Sequence, residues 1–268
     1  NEHPETVPAQ MEYTTEEAVD ELAKLIYNSW NIVALTGAGI SVESGIPAFR
    51  GGEDSIWTKY DPMNNTYQNF LNSKEVQARY WQMKKEIWGI VSKAHPNPSH
   101  EIFARLQNDN KLLGVVTQNI DGLHERSGVD ADKVCNLHGT LSSLFCDHCM
   151  KTYDKEVYEQ VTSGKTDIPT CGCGGPIRPS CVFFGEPLDP LVLERAKEMI
   201  SNCDLLIVMG SSLVVQPANT LPRIAFQNKT PVVIINLEET QYDKFASIVV
   251  HQPCGKTMSA VQDALSKL

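Results

Sequence analysis

The sequence predicts an α/β protein: a mostly parallel sheet with helices on both faces, and a smaller second domain beside it. Three observations carry that reading. Short apolar runs alternate with helical stripes along most of the 268 residues. The first run ends in a glycine-rich turn, and two stretches break the alternation, one of them holding paired cysteines.

The elements follow in chain order. Glu16–Trp30 places Val19, Leu22, Ala23, Leu25 and Ile26 on one helical face. Ile32–Thr36 is an apolar run of strand length that enters Gly37-Ala38-Gly39, so it reads as a buried strand. Further buried strands are expected at Leu113–Thr117, Asp204–Met209, Val232–Asn236 and Ile248–Val250, with a short one at Cys135–Leu137. Helical patterns lie between several of them, at Pro98–Asn108, Pro190–Asn202, Ala218–Gln227 and Thr257–Lys267.

Residues 51–94 hold no strand pattern but a helix at Lys74–Val91, with Tyr80, Trp81 and Trp88 on it. Residues 141–180 are short and turn-rich. Both read as insertions that build the small domain, one helical and one cysteine-bearing, leaving 12–50, 95–140 and 181–268 for the large domain. No internal repeat or low-complexity segment interrupts this plan.

A net charge of −10 argues against direct nucleic-acid binding, since phosphate repels such a surface. No apolar run is long enough for a membrane helix, and the polar start Asn1–Met11 is no signal peptide. The expected compartment is the cytoplasm; the start at Asn1 leaves room for a trimmed targeting segment. Four of the eight cysteines form two tight pairs, Cys146-x-x-Cys149 and Cys171-x-Cys173, across a gap of 21 residues. Four thiolates at such spacing point to one structural zinc ion, since no position stays open for water. Cys181 is the available substitute ligand. The few basic residues near the pairs, Lys151, Lys155 and Lys165, form no dense cluster, so a staple for the small domain is expected rather than a DNA-reading finger.

The glycine turn reads two ways: as a phosphate cradle, where small residues let the backbone approach, or as a tight strand–helix connection. Its spacing is not the usual dinucleotide fingerprint. Asn119 and Asp121 follow a strand and share one side of an extended segment, so they could enter one pocket or cap the next helix. His138 precedes a glycine and could be a general base or an ordinary histidine.

Longer strings are more specific. Gly37-Ala38-Gly39-Ile40-Ser41, Ser44-Gly45-Ile46-Pro47 and Phe49-Arg50-Gly51 resemble the first signature of the sirtuins. Thr117-Gln118-Asn119-Ile120-Asp121-Gly122-Leu123-His124, Leu137-His138-Gly139, Phe184-Gly185-Glu186 and Gly210-Ser211-Ser212-Leu213 continue the resemblance in order, from about Glu16 to the C-terminus. Ala48 departs from the aspartate that many members carry.

The resemblance implies a Rossmann-like sheet and NAD-dependent removal of acyl groups from protein lysines. It assigns NAD contacts to Gly37, Ala38, Gly39, Phe49, Arg50, Gln118, Asn119 and Asp121, then to Gly210, Ser211, Ser212, Asn236, Glu238 and Cys254. Asp121 would take the nicotinamide amide and Asn119 would order water or a ribose hydroxyl. His138 would be the base. In the implied chemistry the acyl-lysine oxygen attacks C1′ of the nicotinamide ribose as nicotinamide leaves. His138 then deprotonates a ribose hydroxyl, which attacks the imidate carbon, and water releases lysine and O-acyl-ADP-ribose. Val182, Phe184, Gly185, Glu186 and Val214 would flank a peptide added as a strand. Sirtuins that take acidic acyl groups carry Tyr-x-x-Arg on the small-domain helix; here Tyr80 and Met83 stand at those places, which implies neutral acyl groups, acetyl first and longer chains after it. Lys84 is expected to point away, about 100° around the helix.

Overall fold

Ile32–Thr36 is buried at all five positions, which suits a strand covered on both faces. The computed structural model describes residues 13–48 and 66–268. Helix α1 (Thr15–Tyr27) opens on a Thr14 cap and buries Ala18, Val19, Leu22, Ala23 and Ile26. Strand β1 (Ile32–Thr36) runs into a 3₁₀ turn at Ala38–Ser44. Helices α2 (Tyr67–Asn72), α3 (Lys74–Val91) and α4 (Pro98–Asn108) precede β2 (Leu112–Thr117), short α5 (Leu123–Arg126) and β3 (Val134–Asn136). Next come β4 (Leu144–Cys146), β5 (Thr152–Tyr153), α6 (Glu156–Thr162) and β6 (Ile177–Pro179). Helix α7 (Pro190–Asn202), β7 (Leu205–Met209), α8 (Pro222–Gln227), β8 (Val232–Ile235), β9 (Ile248–Val250) and α9 (Cys254–Leu265) complete the order.

Six strands form one parallel sheet in the order β3-β2-β1-β7-β8-β9. Alternation along β1 sends Ile32 and Ala34 into one core, with α1, α4 and α9, and Val33 and Leu35 into the other, with α7 and α8. Strand order reverses between β1 and β7, so the crevice at their carboxyl ends is the natural ligand site of such a sheet.

The two insertions share a core of their own. Strands β5-β4-β6 form an antiparallel sheet, against which α2, α3 and α6 bury Phe70, Tyr80, Trp81 and Tyr158. The Trp81 indole donates to the Ile177 carbonyl at 3.1 Å, and Trp88 stacks on Tyr158 at 4.5 Å.

Helix α1 ends at Tyr27, three residues before the expected Trp30, and two later elements also differ from the sequence expectation. The helix expected at Ala218–Gln227 is a 3₁₀ turn, Ala218–Thr220, followed by α8, because Pro222 carries no N–H and serves as the first residue of a new helix. Helix α9 begins at Cys254, three residues before the expected Thr257. Among the described residues no helix is long and apolar enough to cross a membrane.

Candidate active site

The turns after β1 and β7 interlock. Gly37 N–H donates to the Met209 carbonyl at 3.0 Å, and Gly39 N–H to that of Gly210 at 2.8 Å. A Cβ at Gly37 would lie 2.7 Å from the Gly210 oxygen, and one at Gly39 2.7 Å from Gly210 Cα. These glycines therefore serve first the crossing of two backbones, a cause beyond the two expected, the phosphate cradle and the tight strand–helix connection. The crossing sets Ala38, half-exposed, beside Ser211 and Ser212 at the strand-order reversal. Ser211 is turned inward, donating to Gln118 Oε1 at 2.7 Å, while Ser212 stays half-exposed. Phe49 and Arg50 lie outside the described residues.

Beneath the turn lies a polar chain that links Asp121 to two residues given no role in the sequence, Asn97 and His100. Asn97, the N-cap of α4, donates its backbone N–H to His100 Nδ1 at 3.1 Å. The other nitrogen, Nε2, therefore carries the proton and faces Ser41 Oγ at 3.4 Å. Ser41 in turn donates to Asp121 Oδ2 at 2.6 Å. Asp121 Oδ1 accepts the Leu123 N–H at 3.0 Å, and each carboxylate oxygen keeps a lone pair for an amide. Thr36 Oγ1 bonds both Thr117 Oγ1 and His124 Nε2 at 2.8 Å, and His124 Nδ1 is buried without a partner among the described residues. Burial lowers the His100 pKa to about 4 and that of His124 to about 3. Both are neutral structural histidines. The signal for His100 was legible: Asn-Pro-x-His is a capping box with proline at the first helical position.

Asn119 is nearly buried, its amide donating to the Gly37 carbonyl at 2.9 Å. Strand β2 thus delivers Gln118, Asn119 and Asp121 to the β1 turn. His138 stands two residues past β3, half-buried, with Nδ1 at 3.0 Å from the Gln118 carbonyl. A carbonyl only accepts, so Nδ1 carries the proton and Nε2 holds a free lone pair. Burial lowers the His138 pKa against the opposing effect of that hydrogen bond. Gly139 has φ 73°, and a Cβ there would collide with the Ser180 carbonyl. The glycine after His138 is thus required by the close approach of the Ser180 backbone.

The Val182 N–H donates to the His138 carbonyl at 2.9 Å, tying the segment Val182–Glu186 to the base. Phe184 is 62% exposed and Gly185 is exposed, whereas Phe183 is buried. Val214 and Val215 are exposed on the opposite loop. Glu186 does not face outward as a peptide contact would. Its carboxylate makes a two-oxygen pair with Arg178 at 2.7 and 2.8 Å and accepts the Phe183 N–H at 3.1 Å.

Tyr80 is 2% exposed and stacks on Phe183 at 4.6 Å, so it meets the groove only through that ring. Met83 is half-buried between the two clusters of the small module. Lys84, expected to point away, is 6% exposed with Nζ 5.2 Å from the Tyr80 ring, because a residue four on from Tyr80 returns to the same helix face.

The Sγ atoms of Cys146, Cys149, Cys171 and Cys173 lie within 4.8 Å of one another. The pairs Cys146–Cys173 and Cys149–Cys171 stand at 3.5 and 3.6 Å, near the ~3.8 Å edge of a tetrahedron with zinc–sulfur bonds of about 2.3 Å. Backbone N–H groups of His148 and Gly175 point at Cys146 and Cys173, and the Tyr153 hydroxyl at Cys171. The set can hold one zinc ion closed to water; Cys181 is buried elsewhere, against α3. Just past the carboxyl end of β8 the Asn236 amide donates to the Glu238 carbonyl at 3.0 Å. Cys254 is buried, its Sγ 3.7 Å from the Ile235 carbonyl, and Glu238 is exposed.

The Sir2 family model matches residues 37–217. An NAD-dependent protein deacetylase of Thermodesulfovibrio yellowstonii is 37% identical over 95% of this chain and 98% of its own. NAD-dependent protein deacylase 2 of Archaeoglobus fulgidus is 37% identical over 94% of this chain and 98% of its own. Among solved structures, a Sir2 histidine-to-alanine variant with deacetylated p53 peptide and 3′-O-acetyl ADP ribose superposes with a TM-score of 0.81 at 37% identity, covering 91% of this chain and 97% of the other. A Sir2–p53 peptide–NAD⁺ complex gives 0.79 at 35% identity, covering 92% and 98%. The interlocked glycine turns, the histidine past β3 and the cysteine cluster thus sit within a full-length match, and the chain belongs to the Sir2 family.

Proposed function

We propose that this protein removes acyl groups from lysines of protein substrates at the expense of NAD, releasing nicotinamide and O-acyl-ADP-ribose. The relatives' activities and the peptide and NAD complexes of its structural neighbours support this reading. The single observation that carries it is the free Nε2 of His138, fixed by the Gln118 carbonyl beside the segment that would seat the peptide. His138 takes the proton of a ribose hydroxyl as that oxygen attacks the acyl carbon. Gln118, Asn119 and Asp121 hold the nicotinamide riboside, and the Gly37–Gly39 turn with Ser212 holds the phosphates, joined by Phe49 and Arg50. Asn236, Glu238 and Cys254 flank the adenosine. The interior beneath the turn excludes water from a cationic intermediate.

Val182, Phe184, Gly185 and Val214 form the peptide groove, with Glu186 bracing it from behind. Met83, apolar and flexible, favours acetyl and longer neutral acyl groups. Residues 51–94 and 141–180 form the small domain on the larger NAD-binding one, and the zinc ion staples it. Eight unpaired cysteines suit the reducing cytoplasm, and the acidic charge argues against nucleic-acid binding.

The test is mass spectrometry of an acetyl-lysine peptide with NAD, wild type against His138→Ala, with a succinyl peptide in parallel. Loss of the acetyl group with equal amounts of nicotinamide and O-acetyl-ADP-ribose, abolished in the variant, is expected. NAD cleavage with the acetyl group retained would move the activity to ADP-ribosyl transfer or hydrolysis.

A further inference from the structure

We infer that Glu43 is a positioning residue for NAD, clamping the adenine wall of the crevice to the phosphate turn. The inference rests on the NAD site proposed above. Helix α9 begins at Cys254 behind Pro253, which has no side chain able to cap it. The N–H groups of its first turn would then lack intrahelical partners. Glu43, 212 positions away, supplies what Pro253 cannot: its carboxylate accepts the Gly255 N–H at 2.7 Å and the Lys256 N–H at 3.2 Å.

Glu43 belongs to the 3₁₀ turn Ala38–Ser44, the direct continuation of Gly37–Gly39. A Cβ at Gly255 would lie 2.5 Å from the Glu43 carboxylate and would have to push it aside, so the glycine leaves this contact undisturbed. The same first turn of α9 presses Cys254 against the end of β8, with its Sγ toward the Ile235 carbonyl. One side chain therefore joins the turn at the end of β1 to the wall at the ends of β8 and β9. The distance between those walls is what a dinucleotide must span.

A second consequence is electrostatic. The amino end of a helix attracts anions, and α9 points that end at the crevice rim. The Glu43 carboxylate accepts from that end, so α9 offers less to a phosphate than the turns after β1 and β7.

The experiment measures ADP-ribose affinity by calorimetry, and NAD and peptide kinetics, for wild type, Glu43→Ala and Glu43→Gln. Glu43 is exposed, so both variants are expected to fold, and thermal melts verify it. Glu43→Ala should weaken ADP-ribose binding and raise the KM for NAD by roughly tenfold, with kcat and the peptide KM within about twofold; tenfold is ~1.4 kcal/mol. Glu43→Gln keeps acceptor oxygen for one N–H and should recover part of the loss. Unchanged ADP-ribose affinity in Glu43→Ala, or an equal rise in the peptide KM, would overturn the clamp. A wild type that binds ADP-ribose without turnover, yet loses affinity in Glu43→Ala, would sink the deacylase reading and leave the clamp standing.

Discussion

His138 and Gln118 are joined by a hydrogen bond from Nδ1 to a main-chain carbonyl, 3.0 Å long, across the ends of two adjacent parallel strands. The relationship fixes more than a ring orientation. A backbone carbonyl cannot change its protonation state, so whenever the ring is neutral the tautomer is the one with a free Nε2. It also makes Gln118 bifunctional, since its side chain receives the Ser211 hydroxyl from β7.

The first prediction concerns the pH dependence of kcat/KM. A general base must be neutral, so activity should rise with pH through the His138 pKa and then level off. Burial lowers that pKa, which puts the midpoint of the acidic limb below the ordinary histidine value of about 6.5. A midpoint above that value would contradict the buried setting. In His138→Ala the limb should vanish along with roughly 10²–10⁴-fold of the rate.

The second prediction concerns acid stability. His100 and His124 are neutral when folded, with pKa values lowered to about 4 and about 3, whereas the unfolded chain binds protons near pH 6.5. Their contribution is complete above pH 6.5 and is lost as the pH falls toward 4. Urea unfolding should show a loss of a few kcal/mol (~1.4 per pKa unit) between pH 7 and pH 4. His124→Gln should flatten that slope, whatever it does to stability at pH 7; an unchanged slope would assign the acid sensitivity elsewhere.

The third prediction concerns the metal. One zinc per chain is expected by atomic emission, and Cys149→Ser should reduce the occupancy sharply. The cluster spans both cysteine pairs, and Cys146 and Cys171 are packed in the small module's core, so metal loss removes part of that core. Chelation should lower the melting temperature and abolish deacylation while the circular dichroism of the large sheet stays close to native. Full activity in a zinc-free preparation would refute the structural role.

The parallel sheet was legible because its strands are buried on both faces and read as continuous apolar runs; Ile248–Val250 matches to the residue. The cysteine cluster was legible because its ligands are local in sequence. What escaped was set by contacts between distant segments. The start of α9 was placed too late because its cap comes from Glu43. Gly37 and Gly139 were noticed, but their cause lies in Gly210 and Ser180. Lys84 was judged relative to Met83, whereas the buried face is defined by Tyr80, one helical turn earlier.

The last prediction separates bracing from contact in the peptide groove. Arg178 is 1% exposed, and its guanidinium lies 4.6 Å from the Phe183 ring. It pairs with Glu186 on the groove segment and, at 3.4 Å, with Asp147 inside the first cysteine pair. Removing a buried partner costs about 3–5 kcal/mol, so Arg178→Met is expected to unfold the small module and is a poor probe of function. Glu186→Gln is the gentler change: it keeps shape and one acceptor oxygen while halving the charge facing Arg178. If Glu186 braces the groove, this variant should raise the peptide KM severalfold for every peptide sequence, leave the KM for NAD unchanged and lower stability by about 1–2 kcal/mol. If instead Glu186 touches the peptide, the rise in KM should depend on the charge of the residues flanking the acyl-lysine, with little loss of stability. Its two bonds to Arg178 and one from Phe183 leave the carboxylate facing inward, which favours the first outcome.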